Sequence, residues 1–543
     1  MMSLMVLIAL IPIIWLVLAL AILKIPAWKA CSVAAIVSFI IAIIPSFYDK
    51  SPAIMLSGAA EGAALAIWPI LLVITAAIFA YNLVVHTKAM ETIKTMLSSV
   101  TSDKRVLALL LVWGFGNFME GMAGFGTAVA IPAAMMVAVG FNPLKSIVAC
   151  LVANSVPTTY GSIGIPTTTL AALTTLDPLH LGTFISAQLF ILNVITPFFI
   201  VAIIAGGIRA IKGVFTITLL CGFALAIPQL LINKFMGPEL SVIGSSIIIM
   251  AIIIIMAKIM PNNEPEYQIE APTTKISFKE GLIATCPFIL IFLLLLCTSK
   301  LIPAINGPLA SIKTSVPIYQ GEGAKPYTFV WIATPGIMIF ISAFIGGFVQ
   351  KAKASEIFNV LGNTFKGLKF TYITIIAVVI TAKLMTYSGM TIDIANALVA
   401  ATGSLYPAFA PVVGALGAFL TGSGTNANVL FGPLQIAAAT QLDPAHPHLA
   451  LWLAGINSGA AGIGKMFSPQ SIAIAIGAVG PALAAFVKEN NVNASEADKL
   501  NKSIEASSIM QAVVGYFLLF LIADGLISYF GQQVVFHLYD ILL

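Results

Sequence analysis

The chain has 543 residues, of which 59% are hydrophobic and only 9% charged, with a formal net charge of +5 and a mean hydropathy of +1.04. Soluble domains carry about a quarter charged residues, so this balance excludes a soluble multidomain protein and specifies an integral membrane protein whose solvent is the lipid bilayer. The charge lies mostly between apolar runs, where it reports topology, and no nucleic-acid partner is expected.

Apolar runs long enough to span recur along nearly the whole length. Spans are predicted over 3–23, 27–46 and 66–86, with a shorter amphipathic piece at 52–65 ahead of the third. The first run has neither a basic lead nor a small-residue cleavage site, so it reads as a retained span. A connector carrying Lys88, Lys94, Lys104 and Arg105 leads into 106–140, which is apolar but interrupted by Gly114, Gly116, Gly121, Gly124 and Gly126. Two half-helices joined at a glycine-rich tip, a re-entrant helical hairpin, explain that pattern better than one helix. The next segment, 144–176, is a transmembrane helix broken at Pro157, Gly161, Gly164 and Pro166. Spans follow at about 180–206, 211–232 and 240–260, and a polar loop, 261–280, divides the molecule. The second half repeats the plan: spans near 281–297, 328–350 and 367–387, a connector, a hairpin at 404–440, a broken helix at 448–480, a polar loop at 485–506 and a last span near 507–529.

A shift of 301 residues superposes Gly116 on Gly417, Phe118 on Phe419, Gly121 on Gly422 and Pro132 on Pro433, and a shift of 303 superposes Asn154-Ser155 on Asn457-Ser458, Gly161 on Gly464 and Pro166 on Pro469. Turn formers coinciding at nearly one offset indicate internal duplication. With the N-terminus outside, nineteen loop lysines and arginines fall in the cytoplasm and five outside: Lys50, Lys234, Lys300, Lys313 and Lys325. That threading also leaves the C-terminus outside. The first repeat then starts outside and the second inside, so the expected fold class is an all-α polytopic membrane protein of two inverted-topology repeats, 1–206 and 281–543, joined by linking spans and a loop over 207–280.

Four charged residues read as lying at membrane depth: Glu120, Lys383, Lys465 and Asp524. Lys383 is close enough to a span end to snorkel, and Asp524 is expected to cap or pair locally. Lys465 stands in Gly462-Ile463-Gly464-Lys465-Met466-Phe467-Ser468-Pro469-Gln470, inside the second broken segment. A cation at the bilayer centre costs about 2.5–3.5 kcal/mol on insertion scales, which makes it a functional-site candidate. The glycines and Pro469 free backbone groups and start a half-helix at Ser468-Pro469-Gln470, whose positive dipole end suits an anion. Glu120, at the first hairpin tip, is the candidate proton carrier. The residues thus predict a carboxylate site in a secondary transporter: the substrate carboxylate takes Lys465 while Glu120 is protonated.

Around these charges stands a neutral set able to ligate a hydroxyl: Asn154, Ser155, Thr158, Thr159 and Tyr160 in the first break, Thr421, Ser423, Thr425, Asn426 and Asn428 at the second tip, and Asn457, Ser458, Ser468 and Gln470 in the second break. With backbone carbonyls the same groups could hold sodium instead. Cys31, Cys150, Cys221, Cys286 and Cys297 are widely spaced with no CxxC pair, and read as packing residues. The sequence has no phosphate loop, HExxH or GxSxG, so neither ATP-driven transport nor enzymatic hydrolysis is expected, and no cofactor or metal.

Three stretches carry a family resemblance: Gly116 to Thr127 (GNFMEGMAGFGT), Phe419 to Ser423 (FLTGS) and above all Gly464 to Ala475 (GKMFSPQSIAIA). They resemble the bacterial L-lactate permease family, nearly across the full chain in length and organisation. The resemblance implies proton-coupled uptake of L-lactate and related 2-hydroxymonocarboxylates such as glycolate and D-lactate across the bacterial inner membrane. It also implies an elevator-like or rocking carrier, and analogy with hairpin-containing carriers admits a homodimer. One position departs from the family's pattern, which usually has an acid after Gly-Ser at the second tip: here it is Gly424. That concentrates the proton role on Glu120 and keeps a sodium-coupled carboxylate carrier as the alternative, with a passive organic-anion channel or a sensor behind it.

Overall fold

The computed structural model describes residues 2–124, 126–260, 264–269, 276–299, 301–446, 448–489 and 492–537. Phe125 of the first tip motif, Lys275 and Lys300 of the topology count and the last six residues lie outside the described residues. Among those described, nine helices are long and apolar enough to cross a membrane.

The hairpins and breaks follow from local chemistry. The first hairpin descends through Lys104–Ala108, π-helical turns at Leu109–Phe115 and the helix Gly116–Met122, and returns as Thr127–Ala138, whose N-cap is Gly126 at positive φ. Asp103 caps its start, accepting a hydrogen bond from the Arg105 backbone N–H at 2.8 Å. The first broken segment is Pro143–Asn154, a 3₁₀ turn at Pro157–Tyr160, and Gly161–Thr174, with Ser162, Ile163 and Gly164 all at positive φ. The second hairpin pairs Tyr406–Thr421 with Gly424–Leu442, and the second broken segment is His448–Met466 followed by Pro469–Glu489. Small residues let the second broken segment pack closely: a Cβ on Gly462 would overlap the Ser155 carbonyl of the first broken segment, and one on Gly464 the Ala415 carbonyl of the second hairpin.

Several elements differ from the sequence expectation. The piece at 52–65 is not separate from the third span, because Pro52–His86 is one 35-residue helical path, bent at the cis Trp68–Pro69 bond. The span expected from 328 begins later, as the helix Pro335–Val349. Lys313–Val316 and Tyr327–Val330 instead form an antiparallel β-ribbon, the one sheet among the described residues and a departure from all-α structure. The connector after Ser388 is itself a helix, Met390–Thr402.

Two charged clusters brace the surroundings. Lys383 does not snorkel: its ammonium lies 2.8 Å from Glu61 Oε1, which also accepts from Tyr387 at 2.6 Å. Arg105, counted above as a loop cation, is fully buried. It bonds Asp103 and the Ala210 carbonyl and lies against the Tyr267 ring.

Candidate functional site

Lys465 is the last residue but one of His448–Met466, where the helix C-terminus favours a cation. Glu120 comes from the final turn before the first hairpin tip. The fold brings them together across 345 positions of sequence, with Lys465 Nζ donating to Glu120 Oε1 at 2.8 Å. Lys465 Nζ also lies 3.4 Å from Thr158 Oγ1 in the first break. Both members of the pair are buried, while Glu120 Oε2 has no hydrogen-bond partner. Gly161 makes this approach feasible, since a Cβ there would stand 2.6 Å from Glu120 Oε1.

The pair lines a cavity of about 280 Å³. Two helix N-termini reach the same space: Gly424, Thr425 and Asn426 open the returning arm of the second hairpin, and Gln470 and Ser471 lie in the first turn of Pro469–Glu489. Ser423 caps the former, accepting from the Asn426 N–H, and Ser468 Oγ accepts from the Gln470 N–H, both at 3.3 Å. A lysine beside two helix N-termini makes an electropositive, partly apolar space suited to a small organic anion. Asn426 Oδ1 is buried without a partner there, so a hydrogen-bond acceptor remains open to a hydroxyl donor.

The sequence-predicted residues separate into two groups. Glu120, Thr421, Ser423, Asn426, Lys465 and Gln470 line the cavity, as do Thr158 and Thr425. Asn154, Ser155, Tyr160, Asn457, Ser458 and Ser468 do not. Tyr160 turns away and donates to the Gly182 carbonyl at 2.7 Å, joining a buried polar network with Ser186 and Asn233. Asn457 donates to Asn428 Oδ1 at 3.0 Å, and Asn428 donates to Ser458 Oγ at 2.8 Å and to the Pro166 carbonyl at 3.0 Å. Ser458 also bonds Thr159, so these groups fasten one broken segment to the other. Ser155 is spent on the Val152 carbonyl, at 2.7 Å.

Other lining residues escaped the sequence reading. Trp28 and Phe370 stack at 5.3 Å between centroids and line the cavity with Thr371, Thr374, Ser162 and Ser471. Trp28 and Phe370, each next to a lysine near a span end, read as interfacial aromatics.

Comparison with known proteins agrees with this arrangement of motifs. A family model described as L-lactate permease matches residues 5–523. The chain belongs to the L-lactate permease family. It is 45% identical to an L-lactate permease of Streptococcus iniae over 437 residues, covering 80% of this chain and 91% of that one. It is 33% identical to the glycolate permease GlcA of Escherichia coli over 512 residues, covering 87% and 90% of the two chains. The solved structure of Neisseria gonorrhoeae MtrF aligns over 88% of this chain and 83% of that chain, with 14% identity and a TM-score of 0.44, too weak a likeness to carry an argument. Membership makes this a multi-pass permease, consistent with its apolar helices. At the departing position, Gly424, a Cβ would stand 3.0 Å from Thr158 Cγ2, so the Thr158 methyl occupies the space an acidic side chain would leave through.

Proposed function

We propose that the protein imports L-lactate and related small 2-hydroxymonocarboxylates, glycolate and D-lactate among them, across the bacterial plasma membrane by proton symport. The observation that carries this reading is the buried Lys465–Glu120 pair at the wall of a small-molecule cavity, in a chain whose relatives are named for lactate and glycolate. While Glu120 is ionised it neutralises Lys465. Protonation of Glu120 frees the ammonium, which then takes the substrate carboxylate beside the N-termini at Gly424 and Pro469. Thr421, Ser423, Asn426 and Gln470 are placed to read the 2-hydroxyl, and Asn426 Oδ1 is the acceptor with nothing else to bind. Release of substrate and proton on the other side lets the ion pair close again.

In this reading the molecule is a pair of inverted repeats with both termini outside, and the crossing of the two broken segments holds the site near midplane. The test is uptake of labelled L-lactate into proteoliposomes under an imposed pH gradient, with and without sodium, for wild type and Lys465→Ala. Accumulation driven by the pH gradient alone and lost in the variant is the expected result. A requirement for sodium would move the coupling to an oxygen site around Asn426, and no lactate uptake by wild type would overturn the substrate assignment.

A further inference from the structure

Asp524 lies in the middle of the last helix, Ala506–His537, and is fully buried. Neither carboxyl oxygen has a hydrogen-bond partner. One turn further on, on the same helix face, the Ser528 hydroxyl is also buried and unpartnered. This is not the local cap or pair expected from the sequence.

The helix packs on Tyr406–Thr421 and His448–Met466, the outgoing arm of the second hairpin and the half-helix that carries Lys465. The Trp452 indole donates to the Ser528 carbonyl at 2.9 Å. A Cβ on Gly525 would stand 2.9 Å from the Ala408 carbonyl, so just beyond Asp524 the last helix lies close to both neighbours. The titratable groups on these two helices are Tyr406, His448 and Lys465. Tyr406 donates to Gln435 and Lys465 to Glu120. Beyond them, Pro143–Asn154 brings Lys145 and Cys150, Pro178–Ala205 brings His180, Pro469–Glu489 brings Lys488 near its far end, and Ala494–Ser503 brings Glu496, Asp498, Lys499 and Lys502. None of these groups is within ion-pair or hydrogen-bond distance of Asp524. An ionised carboxylate with no cation and no donor in such a place would bear the full cost of desolvation.

We propose that Asp524 is a proton-binding site separate from Glu120, and that its proton is carried with the substrate. Ser528, buried and unpartnered one turn further on, is the second polar group of the site. The acid lies on a helix packed against the half-helix that carries Lys465, which couples a proton there to the substrate site. The proposal rests on the symport reading for its coupling, but not for the presence of the proton.

Two measurements test it. In the infrared spectrum of the full chain in lipid at neutral pH, the band of a protonated carboxyl C=O is expected to lose intensity in Asp524→Asn. An unchanged band would overturn the proposal. In proteoliposomes with the membrane potential clamped, Asp524→Asn is expected to keep lactate exchange across the membrane, which also shows that the variant folds. Its limiting accumulation ratio should fall about tenfold per unit of imposed pH gradient, the equivalent of one proton. Equal ratios for variant and wild type would leave Asp524 a fixed neutral group and overturn the coupling. Should the asparagine variant not assemble, the infrared band of the wild type is followed as lactate is added: a substrate-dependent change in the protonated-carboxyl region that persists in Glu120→Gln supports the site, and none overturns it. Absence of pH-driven accumulation in wild type would count against the symport reading itself, while the infrared arm still decides whether Asp524 holds a proton.

Discussion

Two buried lysine–glutamate pairs among the described residues, Lys465–Glu120 and Lys383–Glu61, have surroundings that give them different tasks. Lys465–Glu120 lines the cavity and leaves Glu120 Oε2 unpartnered, whereas Glu61 Oε1 gathers both Lys383 and Tyr387 away from it. Removing one partner of a buried pair strands a charge, at a cost of about 3–5 kcal/mol, while removing both can be nearly neutral. Lys465→Ala and Lys383→Ala are therefore each expected to lower the thermal unfolding midpoint in detergent, and Lys465→Met/Glu120→Gln and Lys383→Met/Glu61→Gln to restore most of it. Uptake should separate the two double variants: the Glu61 pair keeps lactate accumulation and the Glu120 pair loses it. If both retained pH-driven accumulation, Glu120 and Lys465 would be no more than a brace. The sequence exposed Glu120 and Lys465 because each stands amid glycines that break a helix. It hid Glu61, which lies in a run of small residues that read as an amphipathic piece and whose cation is 322 positions away.

At the scale of elements, the site depends on how closely broken helices approach. Gly462 and Gly464 sit against the Ser155 and Ala415 carbonyls, and Gly422, at φ +65, presses the second tip onto Gln470. A methyl at Gly462 or Gly464 meets backbone, which cannot rotate aside, so overpacking of about 1–3 kcal/mol or more is expected. Gly462→Ala should lower thermal stability and uptake together, whereas Gly477→Ala, with open space around its Cβ position, should leave both near wild type. Equal behaviour of the two would mean that the crossing is loose. This level was largely legible in the sequence, since glycine and proline punctuate the hairpins and breaks wherever the chain turns. What periodicity could not supply was side-chain direction. Tyr160, Asn457 and Ser458 stand in the breaks by sequence, yet the structure turns them onto neighbouring helices, because freed backbone needs polar partners as much as a ligand does. Trp28 and Phe370 reach the cavity from helices whose sequences look like ordinary spans.

At the scale of the whole molecule, the inverted-repeat threading depends on orientation, which lysine and arginine positions express and helix packing alone does not. The count favours an outside N-terminus, but its members are not equivalent. Arg105 is buried against Asp103 and Tyr267, so it reports a local brace as well as a side of the membrane, whereas exposed lysines carry the topological signal more directly. Among the described residues, Lys50 and Lys325 are exposed on the predicted outside, and Lys88 and Lys353 are exposed or nearly so on the predicted inside. With the five native cysteines replaced, single cysteines at Lys50 and Lys325 should react with a membrane-impermeant maleimide on intact cells, and those at Lys88 and Lys353 only after permeabilisation. Lys50 and Lys88 flank the helical path Pro52–His86, so a correct reading requires them to label from opposite sides. The same is required of Lys325 and Lys353, which flank the helix Pro335–Val349. Labelling of all four as expected would make Pro52–His86 and Pro335–Val349 both run inward; because the first is the third span of its half and the second is the second span of its own, equal direction at places one span apart is what inverted repeats require. Reversal at all four positions would invert the molecule without altering the site or the direction of uptake, which the proton and substrate gradients set. Reversal at Lys325 and Lys353 alone would break the inverted relation and leave the hairpins entering from the same side.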